Sequence, residues 1–442
     1  TRAGAAGASL DRAGSTGRRA SWSVADQGLS SLTNFALAIL VARSASTGGF
    51  GAFELTYSIY LFFVGASRAV SSEPLLVRHS DQSGAEVRTA TAQATGTALV
   101  VGAIAGVACL VVAQAFQDPS RDAIRALGLV LPGLLLQDAW RFSFFAAGRP
   151  AKATANDGLW ALSQLVIVLW LLQRQDDTPI AAFVLAWGAS AGIGAVVGAI
   201  QAKVLPRPLA AATWLRRHRD LGPRFLGEFG VGLGAAQLAL WLIGVVGGLR
   251  VLGALRAAVV VLGPFRILVS AAPGAAIPEL IRLRNRSLTR FARAVTLTSV
   301  ALSLLIGAWG VAAYLMPTSV GESILGENWA AARPLLLLTT LSWSALGLVT
   351  GAMIGLRSLA AARRSFRARL AIAPAVVIVS VVSVSVGGAT GAAGGLAAVS
   401  CGSALVWWYQ FRAALADARR GEMEMTEHRE SASLVVGTGS PQ

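Results

Sequence analysis

Charged residues are scarce in this sequence, and their scarcity argues against a soluble globular fold. Asp, Glu, Lys and Arg make up 14% of the 442 residues, whereas an ordinary soluble domain carries about 25%. Hydrophobic residues account for 55%, and the mean hydropathy is +0.62. The composition therefore indicates an integral membrane protein.

Cysteine and histidine are nearly absent. Cys109 and Cys401 lie in apolar segments, where free cysteines act as small buried hydrophobes, so we expect no disulfide framework. His79, His218 and His428 are too scattered for a metal site. The short non-cytoplasmic loops contain no histidine, which argues against a membrane glycosyltransferase or acyltransferase. We expect neither an enzyme nor a bound cofactor.

Lysine is almost missing too. Lys152 and Lys203 stand against 36 arginines, while alanine and glycine abound. This bias suggests a GC-rich bacterial genome, and we therefore expect the protein in the bacterial inner cell membrane.

The apolar stretches have the length of membrane helices. A helix needs about 20 residues to cross the roughly 30 Å hydrocarbon core, and it satisfies its own backbone polar groups there. Twelve such segments are predicted, over residues 22–42, 53–77, 89–114, 123–147, 153–172, 179–202, 225–249, 252–281, 292–316, 333–356, 370–388 and 390–411. The predicted fold class is an all-α polytopic membrane protein, with about 12 transmembrane helices in two parallel six-helix lobes around a central cavity.

The net charge of +16 resides mainly in the loops. One set of alternating loops and tails holds 28 basic residues, and the other set holds six. The positive-inside rule then places both termini in the cytoplasm, in agreement with an even helix count. Because the topology explains the charge, we do not expect nucleic-acid binding.

The two halves of the chain are related by an offset of 202 residues. This offset superposes Asp26 on Glu228, Gly51 on Gly253, Glu54 on Arg256 and Pro132 on Pro334. With six helices in each half, the repeats are parallel. The predicted parts are a cytoplasmic tail (1–21, without the apolar core of a signal peptide), the N-terminal lobe (22–202), a basic cytoplasmic linker (203–224), the C-terminal lobe (225–413) and a cytoplasmic tail (414–442).

A polar stripe runs along the first helix. Ser23, Asp26, Gln27, Ser30, Ser31 and Asn34 follow helical spacing and predict a face turned toward a cavity, with Gln237 and Glu228 as polar sites in the seventh helix. Gln27, Asn34, Asp138 and Gln237 are the predicted cavity-lining polar residues. Asp26 and Glu228 are candidates for H⁺ or Na⁺ coupling, because burial favours protonation of a carboxylate. The alternative is a structural ion pair with an arginine.

Arginines within the helices suggest an anion site. Charges at a helix centre are costly and mark functional positions. Arg68 and Arg266 occupy nearly equivalent places in the two halves, and Arg141 extends the set. Guanidinium groups bind phosphate oxygens bidentately and stay charged when desolvated. The alternative is neutralisation within the chain, by Asp138 for Arg141 and by Glu73 for Arg68.

Four motifs resemble the polysaccharide-export flippases of the multidrug/oligosaccharidyl-lipid/polysaccharide (MOP) superfamily. They are Asp26–Asn34, Gly51–Phe53, Arg68–Arg78 and Gly148–Pro150. The resemblance implies O-antigen-type cargo, a saccharide on a polyprenyl diphosphate, with Arg68 and Arg266 at the diphosphate. Related lipid II flippases carry cavity arginines on their first helix, where this chain has Asp26, which disfavours lipid II.

The interpretation is a flippase that works by alternating access. Its expected partners are the polyprenyl-linked saccharide and membrane lipids, with a polysaccharide polymerase and glycosyltransferases as candidate protein partners. The alternatives are a multidrug and toxin extrusion-type exporter and a non-transporting scaffold of polysaccharide assembly. A major facilitator is disfavoured, because the loop over 78–88 lacks that family's Gly-led, double-basic signature.

Overall fold

The computed structural model describes residues 28–29, 31–80, 84–174 and 178–437. Within these ranges it excludes the side chains of 174, 266–268, 270–271, 274–275, 278, 422 and 425–437. The described chain is helical and contains no strand.

Six helices form the first lobe, and a short helix follows them in the linker. They are α1 (Ser31–Ser44), α2 (Thr47–His79), α3 (Ala85–Val112), α4 (Ser120–Ala146), α5 (Pro150–Arg174), α6 (Ile180–Ala202) and the linker helix α7 (Ala211–Arg217).

The second lobe follows the same plan with more interruptions. Its helices are α8 (Gly222–Gly247), α9 (Leu249–Val261), α10 (Gly263–Arg286), α11 (Leu288–Tyr314), α12 (Thr318–Leu325), α13 (Asn328–Ala332), α14 (Leu336–Ser358), α15 (362–387) and α16 (389–437).

The predicted twelve-helix architecture is confirmed. Nine helical stretches in the described ranges are long and apolar enough to span a membrane, and the last of them contains both α15 and α16, which meet at Gly388. The shorter α1 and the interrupted pair α9–α10 complete the set. The predicted eighth helix is broken before Pro264, because proline suits the first turn of a new helix better than a helix interior. Pro334 likewise lies in a 3₁₀ turn just before α14, outside the helix in which it was predicted.

Close helix packing in the first lobe depends on small residues. A side chain at Gly102 would come within 2.7 Å of the Pro132 Cα, and one at Gly106 within 2.5 Å of the Gly128 carbonyl oxygen. Glycines bring helix backbones together where the lipid gives no hydrophobic driving force for association. This packing fixes α3 against α4, and so fixes the position of the polar residues on α4.

The two lobes meet where α2 crosses α9. A Cβ at Gly51 would lie 1.9 Å from the Leu249 carbonyl oxygen, and a Cβ at Gly253 would lie 2.0 Å from the Thr47 carbonyl oxygen. The offset of 202 superposes Gly51 on Gly253 and Thr47 on Leu249, so each contact is the equivalent of the other. Reciprocity of this kind arises where a two-fold axis passes through a contact. We call this the crossing end of the molecule.

The linker packs on the first lobe at the opposite end, which we call the linker end. The Trp214 indole is fully buried, and its Nε1 donates a hydrogen bond of 3.0 Å to the Val70 carbonyl oxygen. Val70 lies in a π-helical turn, Arg68–Ser72, within α2. The Arg207 amide also donates to the Ala92 carbonyl oxygen at 2.8 Å. The linker is therefore docked on the first lobe through Arg207 and Trp214, and is not a free tether between lobes.

Candidate functional site

A polar cavity lies between the lobes. Helices α1, α2, α4 and α5 line one side of it, and α9 with the first residue of α10 lines the other. The charged and amide side chains, with one serine, are Ser31, Asn34, Glu54, Arg68, Gln137, Asp138, Arg141 and Arg256. Ser31, Asn34 and Ala38 line it at helical spacing, so α1 turns its polar face inward.

An ion pair between the lobes closes the cavity toward the crossing end. Arg256 Nε donates to Glu54 Oε2 at 2.6 Å, and the Glu54 side chain is only 3% exposed. Both residues lie about one turn beyond the Gly51–Gly253 contact, which brings their helices close enough for the side chains to meet. A charged side chain near a helix end can extend to the membrane surface, but here both side chains are largely buried.

A second contact between the lobes reinforces this closure. The Asn328 amide nitrogen, which is fully buried, donates to the carbonyl oxygens of Ala42 and Ala45 at 2.6 and 2.7 Å. These are carbonyls of the last turn of α1 and of the residue just after it, where helices leave acceptors unsatisfied. Gly326 has a φ of +60°, and a side chain there would come within 2.7 Å of the Arg43 carbonyl oxygen. The loop before α13 is thereby held against α1.

Arg68 of α2 forms a bidentate ion pair with Asp138 of α4. Its Nε and Nη2 donate to the two carboxylate oxygens at 2.8 and 2.6 Å, and its guanidinium lies 5.0 Å from the centre of the Phe142 ring. The Asp138 side chain is 7% exposed, whereas 32% of the Arg68 side chain remains open to the cavity. The sequence had suggested Glu73 as the acid for Arg68 and Asp138 as the acid for Arg141. Both assignments are wrong in this structure, because interhelical packing overrides helical spacing.

Arg141 has a different acid, Asp157 of α5. Their Nε and Oδ2 atoms lie 3.3 Å apart, with the Asp157 side chain 2% exposed. The Gln137 amide donates to Asp157 at 2.8 Å and to Asn156 at 3.3 Å, and Asn156 in turn donates to the Gly194 carbonyl oxygen. The polar groups of α4, α5 and α6 thus form one buried network.

All three described cavity arginines therefore face a carboxylate. Charges buried away from water are tolerated only when they are paired. A guanidinium fork that holds a carboxylate bidentately also fits a phosphate, since both present two oxygens at similar spacing. An entering anion could thus exchange with an internal carboxylate at the part-exposed Arg68.

The other predicted site residues fall in different places. Asp26 and Gln27 lie outside the described residues, and so does the side chain of Arg266, whose backbone belongs to α10. Glu228 is exposed on α8, close enough to Glu73 for their charges to interact. Gln237 is buried, but it is not among the residues around this cavity.

Aromatic side chains on α2 follow the cavity wall. Phe53, Tyr57 and Tyr60 line it, and Tyr57 and Tyr60 also pack on the Trp187 ring at centroid distances of 5.6 and 4.6 Å. The cavity therefore offers both ion pairs and π surfaces.

An apolar groove runs along the opposite face of α1, against α5. It is lined by Leu29, Leu32, Leu40, Leu162 and Leu165, among others, and it shares Leu37 with the cavity. Helix α1 therefore separates a polar compartment from an apolar one.

Sequence reasoning missed the roles of Glu54, Arg256 and Asp157. A signal for the first two was present, since opposite charges stood at equivalent positions of the repeat. A two-fold axis brings such positions together, so unlike charges there can form a pair. Asp157 gave no comparable signal.

The described helices form two lobes with a polar cavity between them. The structure is similar to an inward-facing multidrug resistance MATE family transporter of the MOP superfamily, with a TM-score of 0.63 and 12% identity over 88% of this chain and 96% of that one. It is also similar to the lipid II flippase MurJ in an inward closed conformation, with a TM-score of 0.65 and 10% identity over 95% and 93% of the two chains.

A third neighbour is the eukaryotic MATE transporter AtDTX14, with a TM-score of 0.59 and 12% identity over 92% of this chain and 99% of that one. The chain has the fold of the MOP superfamily transporters, as the resemblance implied. No family model and no curated protein matches the sequence.

Proposed function

We propose that this transporter flips a polyprenyl-diphosphate-linked sugar or oligosaccharide across the bacterial inner membrane. The supporting observation is the group of arginines from both lobes around one cavity, with Arg68 part-exposed in a fork geometry that suits a phosphate. The proposed orientation puts both termini and the linker end in the cytoplasm, following the distribution of basic residues.

The head group enters from the linker end and replaces an internal carboxylate as the partner of an arginine. The diphosphate takes the Arg68 guanidinium from Asp138, with Arg141 nearby and Arg266 as the proposed contribution from the second lobe. Asp138 then carries a buried charge without its partner, which is costly. Uptake of a proton or a cation would compensate it, in addition to the proposed coupling at Asp26 and Glu228.

The lipid tail stays in the bilayer, and the apolar groove between α1 and α5 suits it. The groove adjoins the cavity through Leu37, so a head group in the cavity and an apolar chain in the groove would lie on the two faces of one helix. A small soluble drug would have no use for this arrangement.

The closure at the crossing end supports alternating access. TM-scores are 0.63 against an inward-facing MATE transporter and 0.53 against an outward-facing one. The contacts Gly51–Gly253, Glu54–Arg256 and Asn328–Ala42 must separate before the cavity can open outward. We propose that this separation releases the head group at the outer surface.

A MATE-type exporter of cationic compounds is the second candidate. Tyr57 and Tyr60 line the cavity, and the described arginines are already neutralised. Aromatic faces attract cations, and the Glu73–Glu228 pair would attract them at the linker end. The two candidates differ in the sign of the cargo's charge.

Depletion of the protein in its host separates the candidates. If the protein is a flippase, its depletion should cause build-up of a lipid-linked saccharide and loss of surface polysaccharide. An Arg68→Ala plus Arg266→Ala variant at wild-type level should reverse neither effect. Arg125→Ala, at an exposed arginine, is the matched control and should reverse both effects. Normal surface polysaccharide in the double variant, with no accumulated intermediate, would contradict the proposal.

A further inference from the structure

A second basic pocket lies at the linker end of the first lobe, apart from the central cavity. It forms where α3 and α5 begin and where α4 and α6 end. Arg88, Arg149, Lys152 and Lys203 line it, and the adjoining pocket shares Arg88 and Lys203 and adds Arg207. We treat the two as one basic pocket with five cationic side chains, which include both lysines of the chain.

These cations lack acidic partners among the described residues. None of the five takes part in an ion pair with a described carboxylate, whereas Arg68, Arg141 and Arg256 in the central cavity all do. Glu86 is close in sequence, but it stands two residues before Arg88 on α3, and side chains at that spacing do not face each other. Among the described residues, the pocket therefore presents a positive charge that no carboxylate neutralises.

Two of the five cationic side chains bind backbone carbonyl oxygens, and each has hydrogen-bond donors left over. Arg88 donates to the Lys203 carbonyl oxygen at 2.9 Å, and Lys152 donates to the Gln201 carbonyl oxygen at 2.7 Å, so both cap the end of α6. An ammonium has three donors and a guanidinium five, so one bond leaves most of them available. The N-termini of α3 and α5 add partial positive charge at the same place.

Exposed leucines flank the pocket. Leu205 is 78% exposed and Leu209 is 99% exposed, on either side of Arg207. Apolar side chains between cations are typical of segments that lie in the membrane interface, where the leucines enter the acyl region and the cations meet lipid phosphates. A phosphate free in solution would bind the cations without using the leucines.

We propose that this pocket binds the phosphate of an anionic phospholipid, with Leu205 and Leu209 inserted among its acyl chains. The lipid would hold the docked linker and the first lobe at the membrane surface. This site is independent of the cargo of the central cavity, and of whether that cargo is a lipid-linked saccharide.

Lipid binding to the purified full-length protein tests this proposal. Native mass spectrometry with added phosphatidylglycerol or phosphatidylcholine measures the relative affinities. The key variant is Arg149→Gln, Lys203→Gln, Arg207→Gln, because these three side chains donate no hydrogen bond to described residues. At about fivefold per basic residue, its affinity for phosphatidylglycerol should fall about a hundredfold, with little change for phosphatidylcholine.

Two further variants keep the result interpretable. Arg286→Gln, Arg290→Gln, Arg293→Gln removes the same charge from the second lobe and should leave the affinity within about twofold. Leu205→Ser with Leu209→Ser should weaken phosphatidylglycerol binding while leaving the affinity for inorganic phosphate unchanged. Melting temperatures of all variants show whether each is folded.

The proposal is overturned if the two arginine-containing triple variants lose affinity equally, or if the wild-type protein does not prefer phosphatidylglycerol. Full competition by inorganic phosphate at equal concentration, with no effect of the leucine substitutions, would identify a free phosphate as the ligand and would also overturn it. A single Arg207→Gln variant, at an exposed side chain, decides the matter if the triple variant fails to fold. Its affinity should fall about fivefold, and an unchanged affinity would overturn the proposal.

Discussion

Glu54 and Arg256 stand at equivalent positions of the two halves, 202 residues apart, and they form an ion pair of 2.6 Å with each other. Next to them, Gly51 and Gly253 are equivalent in the same way and bring α2 and α9 into contact. Equivalent residues touch where they lie near the axis that relates the halves. The asymmetry of charge at this position is therefore what allows the lobes to join.

Exchange of the two charges should preserve this closure. Glu54→Gln leaves Arg256 without its carboxylate at a largely buried site, and loss of one partner of a buried pair costs about 3 to 5 kcal/mol. We expect a destabilised protein and lower transport. Glu54→Arg combined with Arg256→Glu should recover most of both, as measured by thermal unfolding and transport.

The exposed Asp122–Arg125 pair provides the control for this experiment. Asp122→Asn should change stability by less than about 1 kcal/mol, since exposed ion pairs contribute little. An equally small effect of Glu54→Gln, or a swapped protein as impaired as the single variants, would contradict the assigned role.

The helix crossing should not tolerate a methyl group. Alanine at Gly51 or Gly253 places a Cβ within 2.0 Å of a backbone oxygen of the opposite lobe, so the backbones must move apart. We expect each substitution to cost about 1 to 3 kcal/mol, as overpacking does, and to shift the protein toward a state that is open at the crossing end. Thiol labelling of a cysteine placed at Ser58, a buried residue of α2 one turn beyond Glu54, would report that opening without removing the ion pair.

Gly192→Ala is the matched control for the crossing. Gly192 lies within α6, and a Cβ there meets no described heavy atom within 4 Å. The substitution should leave the unfolding temperature unchanged or raise it slightly, because alanine favours helix over glycine. Equal labelling in all three alanine variants would rule out the crossing as the point of closure.

Removal of the internal acid should strengthen anion binding. Asp138→Asn frees the Arg68 fork while preserving the shape of the side chain, so pyrophosphate should bind about tenfold more tightly, in line with a charged hydrogen bond of about 1.5 kcal/mol. Arg68→Lys should weaken binding, because an ammonium lacks the planar fork. Isothermal titration with pyrophosphate measures both changes. Unchanged binding in both variants would place the anion elsewhere.

Docking of the linker should depend on pH through His218. Burial lowers the pKa of His218 below its ordinary value of 6.5, and the charges of Arg78, His79 and Arg217 lower it further, against the raising effect of its bond to the Trp214 carbonyl oxygen. Because the unfolded form binds the proton more readily, the stability of the docked linker is complete above pH 6.5 and falls as the pH drops below that value.

Hydrogen exchange over residues 211–221 should therefore accelerate between pH 7.5 and pH 5.5, after correction for the intrinsic rate. His218→Phe retains a ring against Trp214 but cannot titrate, and it should remove the pH dependence. A pH dependence that persists in this variant would assign the effect to a group other than His218.

The architecture could be predicted from the sequence, because length and hydropathy identify membrane helices. Twelve helices in two lobes, and the inward-facing positions of Ser31 and Asn34, follow from composition and helical spacing alone. The break before Pro264 could also be read from the sequence, since proline begins helices more readily than it continues them.

The ion pairs could not be predicted in the same way. A spacing of three residues favours an ion pair between Asp138 and Arg141, but the packing of α2 on α4 pairs Asp138 with Arg68 instead. Which residues pair between different helices depends on the rotation of each helix about its axis and on its depth in the bilayer. A single sequence does not specify either. Glu54 and Arg256 are the exception, because the repeat itself placed them together.

Movement of a lipid-linked head group across a bilayer tests the central proposal most directly. The purified protein would be placed in liposomes that carry a polyprenyl-diphosphate-linked sugar in one leaflet, with transfer followed by enzymatic access to the sugar from outside. We predict transfer by the wild-type protein and by Arg125→Ala, and at least tenfold slower transfer by Arg68→Ala. Absence of transfer by the folded wild-type protein, together with transport of an aromatic cation across the same liposomes, would contradict the proposal.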